Sequence, residues 1–105
     1  MPPKIDISTL IGKRDNALNL LNELFEEFQL VVEFEPEART ELIKDIFDQI
    51  EPKYRSIRQQ IELIADKGIE NGLKSEDPTM ARNNEIGNKV KTDFFDIKQK
   101  IHFLS

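Results

Sequence analysis

Residues 41–67 read ELIKDIFDQIEPKYRSIRQQIELIADK, and their spacing decides the fold. The apolar side chains Ile43, Phe47, Ile50, Tyr54, Ile57, Ile61 and Ile64 recur in alternating steps of four and three. That alternation places them on one helical face, buried along its length against other helices. It also passes through Pro52 without losing phase. A proline inside a helix removes one backbone hydrogen bond and crowds the carbonyl four residues back, at a cost of about 3 kcal/mol. Had the helix broken there, nothing would keep Tyr54 and Ile57 in register with Ile43 and Ile50. The spacing predicts one long helix, bent near Glu51 and Pro52 and held by packing on both sides. Two helices joined by a turn at Pro52 are the rival arrangement.

Upstream, Ile11, Leu18, Leu21, Phe25, Phe28 and Val32 repeat the rhythm, with Arg14 at a skipped position. A second line, Leu10, Ala17, Leu20, Leu24 and Val31, widens the apolar face. Asp6 and Ser8 are the candidate caps, since their side-chain oxygens can accept from the unpaired amides of a first turn. Gly12 inside the pattern costs about 1 kcal/mol relative to alanine, so fraying of the first turns is expected. The stretch Phe34, Glu35, Pro36, Glu37 is the first break. Residues before a proline avoid the helical region and proline suits a first helical position, so a second helix is expected from Pro36. Glu37 then sits by the positive end of its dipole. So short a connection makes the first two helices antiparallel neighbours.

Downstream, Lys67 followed by Gly68 reads as a helix end with a left-handed glycine cap. Residues 69–76, with Asn71, Gly72 and Ser75, read as a loop, and Asp77 with Pro78 as the next cap and start. A third helix carries Ile86, Val90, Phe94, Ile97, Ile101 and Leu104. Asn83, Asn84 and Gly87 make its first half the weakest predicted helix. No stretch alternates with period two, so strands are not expected. Three apolar stripes bury one another most simply in an all-α, antiparallel up-down-up three-helix bundle, its second helix kinked at a proline. The expected helices are 7–33, 36–67 and 78–104, in one domain over 6–105 behind a flexible leader at 1–5. The apolar pattern is still running at Leu104 and Ser105, so a piece of a longer protein is expected.

At 105 residues the length suits one domain. No run approaches the roughly 18 apolar residues of a membrane span, and MPPKID lacks the apolar core of a signal peptide. The chain has no cysteine, which excludes disulfides, thiolate zinc sites and cysteine nucleophiles and fits a cytoplasmic or nuclear setting. The net charge of −5 is unevenly spread: the first third is acidic and the last third nearly balanced. Phosphate backbones attract clustered lysine and arginine, so strong nucleic-acid binding by this domain is not expected.

Enzyme signals are missing. A serine nucleophile needs a base, and the only histidine is His102. Di-metal bundles need Glu-x-x-His pairs, and there are none. Glu23, Glu26 and Glu27 lack the backbone-turn ligands of a cation site, and Gly68 and Gly72 lack the lysine and hydroxyl of a phosphate loop. Tyr54, Phe47, Phe25 and Phe28 read as core. No catalytic residue, cofactor, metal or small-molecule substrate is expected. What remains is interaction, because Leu20, Leu24, Val31, Phe34, Leu42 and Leu63 exceed what narrow seams must hold. Leu20, Leu24, Val31 and Phe34, rimmed by Glu23, Glu26, Glu27 and Glu33, form the candidate interaction patch, for a protein partner or a second copy.

Three places carry a family resemblance. They are Leu10-Ile11-Gly12-Lys13-Arg14 with Ala17, Leu18 and Leu21; the stretch from Leu42 to Tyr54 with Ile57, Ile61 and Glu62; and Phe94-Phe95-Asp96-Ile97-Lys98 with Ile101. Over about residues 10 to 104 the chain resembles the amino-terminal helical segment in the Gag region of BEL/Pao-type retrotransposon polyproteins. It departs from that pattern at Arg58, where a glutamine is expected, and at Glu51, where an aromatic is expected. The resemblance implies a non-catalytic structural part of a polyprotein, working in particle assembly. The alternative is a cellular three-helix adaptor or scaffold, spectrin-like or SNARE-regulatory-like, binding a partner helix in a groove.

Overall fold

The computed structural model describes residues 6–34 and 39–104, leaving aside the side chains of Phe34, Arg39, Thr40 and Leu104. Three helices account for most of them: α1 (Ile7–Phe34), α2 (Arg39–Glu70) and α3 (Pro78–Leu104). Among the described residues there is no strand. The start expected at Pro36 and the leader at 1–5 lie outside the described residues.

The helix ends follow from local chemistry. Asp6 opens α1: its carboxylate accepts from the Ser8 amide at 3.3 Å and from the Ser8 hydroxyl at 2.8 Å. Ser8, the other candidate cap, thus serves the cap rather than being it. Asp77 opens α3 by accepting from the Thr79 amide at 3.0 Å, with Pro78 in the first helical position.

The end of α2 departs from expectation. The helix runs through Gly68 to Glu70, so Ile69 and Glu70 are helical and not part of a loop. The left-handed residue is Gly72, at φ +78°. The Leu73 amide donates to the Gly68 carbonyl at 2.9 Å, and the Gly72 amide to the Ile69 carbonyl at 3.0 Å. This pair of bonds is the Schellman closure, which needs a residue in the left-handed region. Gly68 has another use: it is buried, and a β-carbon there would collide with the side chain of Met80. Both glycines fit the local sequence rule for a cap, and only packing distinguishes them.

α2 is continuous across Pro52. It packs against α1 on one side and α3 on the other. Ile43, Ile46, Ile50, Ile57 and Ile61 meet Leu21, Leu24 and Phe28 of α1 and Ile86, Val90, Phe94 and Ile97 of α3 in one apolar core. Burying each such side chain contributes about 1.5–3 kcal/mol, more than enough to hold a helix through one proline. The aromatic positions of the α2 line, Phe47 and Tyr54, are half-buried at the α3 edge. The ring of Tyr54 stacks on Phe94 with centroids 3.9 Å apart, and Phe47 follows at 5.8 Å.

Candidate interaction surface

α2 is the middle of the arrangement. Among the described residues no Cα of α1 comes within 8 Å of a Cα of α3. The molecule is correspondingly flattened, 55 × 29 × 16 Å. α1 and α3 reach each other through long side chains. Arg14 Nη1 donates to Asn83 Oδ1 at 3.0 Å, and Lys100 Nζ donates to Gln29 Oε1 at 2.8 Å. Around the second bridge lies an open cavity of about 620 Å³, with Phe25 and Ile97 as apolar lining and Glu26, Asp96 and Lys100 as charged lining. A smaller cavity of about 180 Å³ continues it, sharing Asn22, Lys89 and Asp93. A groove therefore follows the α1–α3 side. Phe103, 81% exposed, stands on its wall.

Arg14 and Asn83 are buried, each only 3% exposed. Asn83 Nδ2 donates to the Ile61 carbonyl at 3.0 Å, so one polar chain ties α1 to α3 and α3 to α2. Arg14 also holds Asp15 Oδ1 through Nε and Nη2, at 3.1 and 3.0 Å. Burial of a guanidinium is tolerable only with such partners. Gly87, one turn along from Asn83, is buried against Ile61 of α2, where a β-carbon would make ordinary contact at 3.4 Å from Ile61 Cγ2. Asn83, one of the residues that weaken the predicted third helix, is thus the one that ties it to both neighbours.

The candidate patch is divided by the structure. Leu24 is 8% exposed and belongs to the core, and Val31 is half-buried against it. Leu20 is exposed, and the side chain of Phe34 lies outside the described residues. A continuous apolar line from Leu20 to Val31 is therefore not offered to a partner, because the core runs between the two apolar lines read from the sequence and takes Leu10, Leu21, Leu24 and Phe28 from both. Sequence reading missed Leu30, 56% exposed, and Phe95, 58% exposed, as surface apolar positions. Their phase could have found them, since Leu30 stands on neither of the two lines and Phe95 falls between the core steps at Phe94 and Ile97.

Among the described residues no group of three or more histidine, aspartate or glutamate side chains is placed to hold a metal ion. His102 meets Phe103 edge-on, with ring centroids 6.0 Å apart. No described helix is long and apolar enough to cross a membrane. In comparisons with models of protein families, with curated proteins and with solved structures, nothing matches this chain.

Proposed function

We propose that this chain is a non-catalytic protein–protein interaction or assembly domain, binding a protein partner or further copies of itself. The observation that carries this is the open α1–α3 side: an apolar floor at Phe25 and Ile97, charged walls, and an exposed Phe103 beside them. Interaction faces combine an apolar centre with a polar rim in this way. The Gag-like setting, as a structural part of a retroelement polyprotein, is supported by the sequence resemblance alone. The second reading, an adaptor that takes a partner helix, is favoured by the groove, since amphipathic helices dock by laying an apolar face into such a channel. A cytoplasmic or nuclear location belongs to both, and nucleic acid, membrane and small-molecule substrates belong to neither.

The up-down-up order is part of this proposal. Contacts of Gly68 with Met80, Ile61 with Asn83, and Tyr54 and Phe47 with Phe94 support opposite directions for α2 and α3. Contacts of Arg14 with Asn83 and Gln29 with Lys100 support a common direction for α1 and α3. A bend in α2 at Pro52 is supported by the missing amide opposite the Asp48 carbonyl.

The test is selection of amphipathic helical peptides against the isotope-labelled protein, with binding mapped by amide chemical shifts. Binders that shift Phe25, Ile97 and their neighbours, and that are lost with Ile97→Lys in a protein that still melts cooperatively, are expected. Enrichment of no helical peptide, together with amide shifts that do not change with protein concentration, would overturn the interaction reading.

A further inference from the structure

Two exposed apolar residues stand in oppositely charged surroundings on different helices. On α1, Leu30 has Glu26 and Glu27 one turn before it, Glu33 one turn after and Glu23 two turns before. All four glutamates are exposed, and from Asp15 to its end α1 carries no lysine or arginine. Side chains three and four positions apart on a helix are neighbours, so Leu30 is an apolar centre in an acidic ring. On α3, Phe95 has Lys91 one turn before it and Lys98 one turn after, both exposed. The acids nearest in sequence, Asp93 and Asp96, are turned away into the wall of the α1–α3 groove, where Asp93 holds Lys89 at 3.0 Å. Lys98 Nζ stands over the ring of the adjacent Phe94, 5.5 Å from its centroid. Phe95 is therefore an apolar centre in a basic surround.

We infer that copies of this chain join head to tail, the Leu30 face of α1 in one copy seated on the Phe95 face of α3 in the next. This rests on the reading of the chain as an interaction domain and names its partner. A separate partner would need only one of these faces. A second copy uses both, because each face carries the charge that the other attracts. Like faces repel, which disfavours pairing α1 on α1 or α3 on α3. Since the two faces differ, every joined pair leaves one of each free, and association continues into a ring if the rotation closes and into a filament if it does not.

The experiment is sedimentation over a concentration series of the whole chain at low and high salt, with two charge-reversed variants. One carries Glu23→Lys, Glu27→Lys and Glu33→Lys, the other Lys91→Glu and Lys98→Glu. The wild type is expected to associate at about 50 mM salt and to dissociate at about 1 M, where screening shortens from beyond 10 Å to about 3 Å. Each variant alone is expected to lose association at least about tenfold, the free-energy equivalent of about 1.4 kcal/mol. Their equimolar mixture is expected to recover it, because the intact α3 face of the first variant matches the intact α1 face of the second, and the two reversed faces match each other. Leu30→Ser and Phe95→Ser, both at exposed positions, should weaken association without lowering the melting temperature. A wild type that stays monomeric throughout, or a mixture that does not recover, would overturn head-to-tail joining. Peptide binding in the groove is untouched by these substitutions and decides the broader interaction reading separately.

Discussion

Arg14 Nη1 on α1 donates a 3.0 Å hydrogen bond to Asn83 Oδ1 on α3, in a layer where both side chains are buried. The same asparagine passes the connection on to the Ile61 carbonyl of α2. Asn83→Ala removes the acceptor from a buried guanidinium and should cost about 2–4 kcal/mol in denaturant unfolding. Replacing both, Arg14→Leu with Asn83→Leu, should recover most or all of that loss, since apolar groups of similar volume often replace a buried polar pair without penalty. The double-mutant cycle measures the coupling directly, and additive single effects would mean that the bond contributes nothing of its own.

Pro52 should be a cost that α2 carries and not a support. Pro52→Ala restores an amide and relieves the clash with the Asp48 carbonyl, so stability should be unchanged or higher by up to about 3 kcal/mol. A clear fall in melting temperature would show that a bend at this point is needed to bring both halves of α2 against their neighbours.

Gly12 and Gly72 should respond in opposite ways to alanine. Gly12 is helical, and a β-carbon there meets nothing within 4 Å, so Gly12→Ala should stabilise by up to about 1 kcal/mol. Gly72 sits at φ +78°, where a β-carbon costs about 1–2 kcal/mol, and Gly72→Ala should lower stability by that amount. Thermal melts of the two variants compare the effects, and equal changes would argue against Gly72 as the closing residue of α2.

The Asp6 carboxyl titrates below the ordinary aspartate value of 3.8, first because the Ser8 hydroxyl hydrogen-bonds to its charged form, and then because the Ser8 amide does. A carboxyl whose folded value is depressed stabilises the fold above its unfolded value, and that contribution is lost as pH falls through the folded value. The start of α1 should therefore loosen below about pH 3.8 while remaining capped at neutral pH. A carboxyl titration followed by NMR should give Asp6 a midpoint below 3.8, moved upward by Ser8→Ala. No movement in that variant would remove the hydroxyl as the main cause.

Three helices, their all-α packing and the continuity of α2 through Pro52 were legible from periodicity, because a phase kept over seven apolar positions leaves one side of a helix to bury. The caps at Asp6 and Asp77 were legible for a similar reason, since a cap satisfies amides within its own first turn. These are short-range effects, fixed by neighbours in sequence. The choice of Gly72 over Gly68 as the end of α2 was not, because both glycines satisfy the local cap rule, and that Gly68 is instead packed against Met80 shows only in the fold. Nor was the burial of Leu24 beside an exposed Leu20. Adjacent apolar lines on one helix look alike until the angle of the neighbouring helix selects between them. Arg14 read singly as a skipped position in an apolar line and Asn83 as a weak helix former, and only the meeting of three helices makes them partners. The open α1–α3 side likewise belongs to the tertiary structure: amphipathic stripes require burial, but they do not say how far apart two helices stand when a third lies between them.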